Sequence, residues 1–242
     1  SIRKTLINII KKDKKNFEII LLTADKNYKG LLKQAKIFNV KNLIITDEKS
    51  YFKLKKKRIN KIKIFNNFEA FNNIFTKKID YVMSSISGIS GLEPTLKIIK
   101  HTKKIAIANK EAIICGWSLI KKELNINKTQ FIPVDSEHFS IYYTIKNTNI
   151  NNLEHIYLTA SGGPLKNLHI NKFKNIKVAD ALNHPNWKMG QKISIDSATM
   201  MNKVFEIIEA HKIFNIPYKN LKILIHPKSY VHALIKFNDG MI

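Results

Sequence analysis

Apolar residues along this chain fall into short runs, and in the first half a strand-like period alternates with a helical one. Phe17 to Leu22 reads as a buried strand. Tyr28 to Phe38 then places Leu31, Leu32, Ala35 and Ile37 on one helical face. Asn42 to Thr46, Ile62 to Phe65, Ile79 to Met83 and Ile105 to Ala108 are further strand-like runs. Phe68 to Phe75 and Leu92 to Lys100 read as helices, the second with Pro94 in its first turn, and Thr5 to Ile10 as another. This alternation predicts βαβ units and a doubly wound parallel sheet, an α/β domain of the nucleotide-binding type. Ligands of such sheets gather at the carboxyl ends of the strands. Three segments would stand there: Ala24-Asp25-Lys26-Asn27, Ser87-Gly88-Ile89-Ser90-Gly91 and Asn109-Lys110-Glu111. Each is also compatible with an ordinary turn, and the G-x-G-x-x-G dinucleotide fingerprint is absent.

The second half is patterned differently. Phe131-Ile132 leads into Pro133-Val134-Asp135-Ser136-Glu137-His138, read as a strand end opening into a loop. Residues two apart on a strand face one way, which would bring Asp135 and Glu137 together. Paired carboxylates repel unless a positive group lies between them, and oxygen ligands suit a hard divalent cation. Two ligands are too few, so a third acid is expected from elsewhere; a solvated acidic turn is the alternative. Ile156 to Thr159 is strand-like and precedes Ala160-Ser161-Gly162-Gly163-Pro164, an anion cradle or a plain turn. Ala181 to Gln191 holds Trp187 and Met189 between Pro and Gly, as a substrate lid or a loop tucked onto the core would. Ile193 to Ile195 looks like a short strand. Asp196 to Thr199 supplies helix-cap residues for a helix from about Ala198 to Phe214. On that helix Asn202, Lys203 and Glu206 share a face, and the rest is apolar nearly all round, so it should be buried. Glu206 is the candidate third carboxylate, with a simple Lys203–Glu206 ion pair as the competing reading. Glu209, one turn further, is set aside, and His226 and His232 are read as structural. Leu221 to Ile225 and Ala233 to Phe237 are two more strands.

Composition narrows the function. The 242 residues carry a formal charge of +24, which raises the possibility of a nucleic-acid-binding module. Arg3 and Arg58 are the only arginines, however, and the lysines are spread along the chain apart from a run at 53–58. Nucleic acid is therefore not the expected partner. Cys115 is the only cysteine, so no internal disulfide forms; it is expected to be a small buried hydrophobe. No apolar run is long enough to span a membrane, and the first residues do not read as a signal peptide. The shift in pattern suggests a nucleotide-binding domain over 1–125 and an α+β catalytic domain over 126–242.

The motifs together resemble the 1-deoxy-D-xylulose 5-phosphate reductoisomerase family. They are Ala108-Asn-Lys-Glu111, Pro133-Val-Asp-Ser-Glu-His138, Leu158-Thr-Ala-Ser-Gly-Gly-Pro164, His184-Pro-Asn-Trp187 and Lys192-Ile-Ser-Ile-Asp-Ser-Ala-Thr-Met-Met-Asn-Lys203, continued by Glu206 and Ile225-His-Pro227. The resemblance implies a Rossmann-like domain followed by a catalytic one. It implies rearrangement and reduction of 1-deoxy-D-xylulose 5-phosphate to 2-C-methyl-D-erythritol 4-phosphate, in non-mevalonate isoprenoid synthesis. NADPH and a divalent metal (Mn²⁺, Mg²⁺ or Co²⁺) would serve as cofactors. By it Asp135, Glu137 and Glu206 bind the metal, with His184 and Lys203 also in the catalytic set. Lys110, Ser136, Ser161, His184, Trp187, Ser197, Asn202, Lys203 and Glu206 contact the sugar phosphate. Ser1, Ile2, Lys26, Asn27, Asn109, Glu111 and Gly190 line the NADPH site. It further implies a homodimer when full length, in a bacterial or endosymbiont cytoplasm, or a plastid-type organelle of a eukaryote. The family pattern begins with a glycine loop, of which Ser1-Ile2 would be the remnant, and continues past Ile242; the chain is expected to be a fragment. Arg3, Asp25, Ala160 and Val204 stand where the family has glycine. A metal-dependent sugar-phosphate isomerase without hydride transfer and an inactive remnant are the other readings.

Overall fold

The computed structural model describes residues 2–57, 59, 61–146, 148–183 and 190–242, with backbone alone for 2–4 and 170. Helix α1 (Ile2–Lys12) leads into β1 (Leu21–Ala24), α2 (Tyr28–Phe38), β2 (Asn42–Ile45), α3 (Glu48–Lys55) and β3 (Lys63–Phe65). A second run follows: α4 (Phe71–Ile74), β4 (Ile79–Ser84), α5 (Leu92–Ile99), β5 (Thr102–Ile107), α6 (Lys110–Ile126) and β6 (Gln130–Pro133). The strands form two parallel three-stranded sheets, ordered β1-β2-β3 and β4-β5-β6. One hydrophobic core joins them, with Leu21, Ile44 and Phe65 of the first packed with Ile105 and Ile107 of the second. The expected α/β architecture with Rossmann-like parallel sheets is present. The first strand begins at Leu21 rather than Phe17, because only 21–24 find ladder partners on β2.

The chain continues through α7 (Ser136–Ile145), β7 (Leu153–Ala160), α8 (Val178–Leu182), α9 (Gln191–Ala198), α10 (Met201–Phe214), β8 (Leu221–Ile225) and β9 (Ala233–Phe237). β7 is central, parallel to β8 and antiparallel to β9. Ile141, Ile156, Leu158, Ala210, Phe214 and Leu221 form the core that binds α7 and α10 to this sheet. β6, for its part, pairs with β5 and so belongs to the second parallel sheet.

Three local readings are corrected. Residues 193–195 lie in α9, not a strand; Ser194 is buried while Ile193 and Ile195 are exposed, and Lys192 Nζ bonds Asp196 one turn on at 2.8 Å. Three residues alternating in hydrophobicity fit one turn of helix as well as a strand. Asp196 to Thr199 therefore close α9 instead of capping the next helix. The chain reverses at Met200, in the left-handed region at φ 59°, and α10 starts at Met201. Cys115 is exposed. The inward stripe of α6 is Ala112, Ile113, Gly116, Ile120 and Leu124, and Cys115 falls off it.

The carboxyl edge of the parallel sheets is built from helix caps. Asn27 Oδ1 accepts from the Gly30 amide at 2.9 Å, Asp47 Oδ2 from Ser50 at 2.8 Å and Asn109 Oδ1 from Ala112 at 3.0 Å. Asn109 is buried, and its Nδ2 also donates to the Ile86 and Gly88 carbonyls, so it ties the β4–α5 loop to α6. Gly91 is required there, since a Cβ would lie 2.6 Å from the Ile86 carbonyl oxygen and closer still to Asn109 Nδ2. Gly91→Ala should cost about 1–3 kcal/mol by overpacking. Chemical denaturation of the variant reads that cost, and an unchanged midpoint would contradict this packing.

Candidate active site

Strand register explains the first half of the site. Ile107 at the end of β5 pairs with Pro133 at the end of β6. Lys110 and Asp135 follow within three residues of those ends, at the starts of α6 and α7. Lys110 Nζ consequently reaches Asp135 Oδ2 at 3.2 Å. Asp135 is the N-cap of α7, and its side chain accepts from the Glu137 amide at 3.3 Å. Asp135 and Glu137 thus converge through a helix N-terminus, not through strand alternation as expected from the sequence.

Helix α10 supplies the other half. It packs on α6, α7 and α9. Its inward face carries Lys203, Glu206 and Glu209, each 5% exposed or less, whereas Met201 and Val204 are exposed at 44% and 45%. The helix is buried as expected, but its buried face carries these charges as well as Ala210 and Phe214. Lys203 Nζ bridges Glu137 Oε1, at 2.9 Å, and Glu206 Oε2. Lys110 Nζ donates to Asn202 Oδ1 at 2.8 Å and lies 3.5 Å from Glu206 Oε1, to which Asn202 Nδ2 also donates. The expected Lys203–Glu206 pair forms, but as part of this larger network. One ligand oxygen each from Asp135, Glu137 and Glu206 lies within 4.8 Å of the other two.

The electrostatics follow from this crowding. Glu206 is pushed up to about 7, first by burial and then by the Asp135 and Glu137 charges. Glu209 is pushed up to about 7, chiefly by burial. Burial also works against the charge on Asp135, yet His138 and Lys110 hold it well below the usual carboxylate range. For His138, burial is outweighed by Asp135 and Glu209, which raise it to about 9. Burial likewise opposes the Lys110 charge, but Asp135, Glu206 and Glu209 raise its value above that of an ordinary lysine.

These groups line a cavity of about 420 Å³ together with Ser136, Ser161, Gly163, Ser197, Asn202 and His232. Gly163, at φ +70°, lets the turn after β7 lie against α9: a Cβ there would be 2.7 Å from the Ser197 carbonyl oxygen. Ser161 Oγ accepts from the Gly163 amide at 3.2 Å. His232, read as structural from the sequence, also borders this cavity. Its Nδ1 lies 3.1 Å from Ser136 Oγ, and its carbonyl accepts from the Thr159 amide and hydroxyl, each at 3.1 Å. Glu209, set aside from the sequence, borders the same cavity. Sequence reasoning missed both, since neither completes a local motif; only β7 and the inward face of α10 bring them in.

The other candidates lie along the sheet edge. Lys26 borders a separate, more open cleft with Asp47, Ser50 and Lys53, and the adjacent Asn27 is occupied in capping α2. Glu111 pairs with Lys192 at 2.9 Å, which brings the start of α6 to α9, the helix that Gly190 opens. Ile2 is in α1. Ser1, His184 and Trp187, with most of the expected lid, lie outside the described residues.

Known proteins resemble this chain along most of its length. The 1-deoxy-D-xylulose 5-phosphate reductoisomerase family profile matches residues 1–116, and the profile of that enzyme's C-terminal domain matches 131–214. The enzyme of that name from Pelagibacter ubique is 64% identical over 244 residues, covering 100% of this chain and 63% of its own length. The chain belongs to the 1-deoxy-D-xylulose 5-phosphate reductoisomerase family. The Clostridium kluyveri member is 41% identical over 100% of this chain and 64% of its own length. The chain thus spans less than two thirds of these curated relatives. Among solved structures, the Zymomonas mobilis reductoisomerase in complex with NADPH superposes at TM-score 0.86, with 34% identity over 97% of this chain and 61% of that one. A reductoisomerase in complex with NADPH, fosmidomycin and magnesium gives 0.89, with 33% identity over 100% and 62%.

Removing the Lys203 ammonium leaves Glu137 and Glu206 facing each other out of bulk water. Lys203→Met should therefore destabilise the protein by about 3 kcal/mol or more. Urea denaturation measures this, and magnesium should raise the variant's melting temperature by more than it raises that of the parent.

Proposed function

We propose that the whole protein converts 1-deoxy-D-xylulose 5-phosphate to 2-C-methyl-D-erythritol 4-phosphate, with NADPH and a divalent cation. The observation that carries this reading is the convergence of Asp135, Glu137 and Glu206 on a cavity also lined by hydroxyl, amide and ammonium groups. The donors fit a metal: three carboxylate oxygens, hard and crowded, suit Mg²⁺ or Mn²⁺ and gain from a cation among them. Co²⁺ is a further candidate. The sheet edge fits a dinucleotide, with capped helix starts behind the strands and Lys26, Lys49 and Lys53 around one cleft. When bound, the cation supplies Lewis-acid polarisation and NADPH a hydride.

The chain's own residues do the rest. Asp135, Glu137 and Glu206 hold the ion. Ser161, Ser197, Asn202 and Lys203 bind the phosphate, and anchoring it away from the reacting carbons orients them. Lys110, Ser136 and His184 meet the sugar oxygens, with Trp187 capping the substrate. Lys26 and Asn27 serve the adenosine end of NADPH; Asn109, Glu111, Gly190, Ser1 and Ile2 serve the remainder. Asn109 would act through its backbone and position, since its side chain is committed to the loop. The division into a nucleotide-binding segment, 1–125, and a catalytic one, 126–242, belongs to this reading. So do a homodimer of the full-length protein and a bacterial or endosymbiont cytoplasm, or a plastid-type organelle in a eukaryote. Among the described residues, no helix is long and apolar enough to cross a membrane.

The test is spectrophotometric. The full-length protein should oxidise NADPH only with both deoxyxylulose phosphate and a divalent ion present. Glu206→Gln should lower turnover by three orders of magnitude or more while NADPH still binds, and unchanged turnover would refute the site. Product without NADPH oxidation would instead point to an isomerase lacking hydride transfer.

A further inference from the structure

The Asp135, Glu137 and Glu206 reading leaves a buried pair unexplained beside it. His138 is fully buried on α7 and Glu209 is 2% exposed on α10. Three atoms of the His138 environment define its role. Its Nε2 lies 2.9 Å from the backbone carbonyl oxygen of Glu206. A carbonyl only accepts, so Nε2 is the donor in that bond. Nδ1 is left facing Asp135 Oδ1 at 3.6 Å and Glu209 Oε2 at 4.0 Å. Among the described residues, neither His138 Nδ1 nor Glu209 Oε2 has a hydrogen-bond partner. The ring is stacked on Phe214, with centroids 6.3 Å apart and planes 17° apart, which limits its rotation.

We infer that Glu209 is a positioning residue for the cation site: it orients the His138 ring, which ties Asp135 on α7 to the Glu206 turn of α10. The inference rests on Asp135, Glu137 and Glu206 being the ligands. Glu209 sits three residues after Glu206 and so shares its face. From there it reaches the ring whose far edge holds the Glu206 backbone. The same ring fronts Asp135, so one imidazole sets the spacing between ligands on two different helices. Partners of this kind, one shell out from the ion, orient the ligands and tune affinity.

The competing role for this cluster is that of a second ion site, since Asp135, His138 and Glu209 also present ligand atoms within 4.8 Å of one another. Charge decides between them. The carboxylates of Asp135, Glu137, Glu206 and Glu209 face the ammonium groups of Lys110 and Lys203. One divalent ion already offsets the two carboxylates that the lysines leave, before any positive charge on His138 is counted. A second would add two or more uncompensated positive charges to a largely buried cluster, and isolated buried charge is strongly unfavourable.

The experiment uses the full-length protein and Mn²⁺ as the probe, with dissociation constant and stoichiometry read by titration calorimetry. Glu209→Gln should weaken Mn²⁺ binding about tenfold or more, at one ion per chain, with NADPH affinity unchanged. In turnover, kcat/KM should fall and recover in part at high Mn²⁺, a response that a purely structural role would not give. Glu209→Asp, one methylene short of the ring, should show a smaller loss, and keeps the test open if the glutamine variant does not fold. Mn²⁺ affinity within twofold of the parent in either folded variant would overturn the inference. So would two ions per parent chain falling to one in the variant, which would make Glu209 a ligand. Glu206→Gln separates the two levels: if it too binds Mn²⁺ normally, the cation site itself is wrong.

Discussion

Three carboxylates held within 4.8 Å of one another set the terms for the rest of this molecule. At that spacing each pair repels by roughly 3–4 kcal/mol for an effective dielectric near 20. That exceeds the contribution of any single hydrogen bond, so the cluster persists only with positive charge built into it. Lys110 and Lys203 provide that charge. Each bridges two of the acids, one from the start of α6 and the other from the buried face of α10. The acids come from the start of α7 and from that same face of α10. The site is therefore a junction of three helices, and its charges bind the parallel sheets to the later α+β portion.

Helix α10 shows what that junction demands. It turns Lys203, Glu206 and Glu209 inward and leaves Met201 and Val204 exposed. Buried charge needs counterparts; the network around Asn202 and Lys110 supplies them for Glu206, Glu137 does so for Lys203, and Glu209 faces His138 at 4.0 Å. The left-handed residue at Met200 lets α9 and α10 meet at an angle that a continuous helix would forbid. Gly163 allows the turn after β7 to rest on the end of α9, which brings the hydroxyls of Ser161 and Ser197 to one cavity. Backbone conformation at two residues thus positions side chains drawn from three elements.

The parallel sheets contribute through their edge. The starts of α2, α3 and α6 there are capped by an Asn or Asp that satisfies a free amide, and Asn109 additionally fixes the β4–α5 loop. The in-register ends of β5 and β6 then bring Lys110 to Asp135 with no long-range adjustment. The carboxyl ends of neighbouring strands thus lead into both the proposed cation site and the proposed cofactor edge.

Much of this was determined by the sequence itself. The βαβ alternation follows from the period of apolar residues, and α2 falls on residues 28–38 as that period predicts. The candidate carboxylates were legible because Asp135 and Glu137 stand in a polar motif after an apolar run, and Glu206 is a charge on an otherwise apolar stretch. Tertiary structure alone decided how they meet. Asp135 and Glu137 converge at a helix start, because capping the free amides of α7 outweighs strand continuation. Residues 193–195 became helix because three residues carry too little period to choose. Glu209 and His232 gained their places from packing: one lies on the inward side of a helix whose exposed side is apolar, the other is held by β7. Periodicity reports which side of an element differs from the other. Only the partners packed against it determine which side is buried.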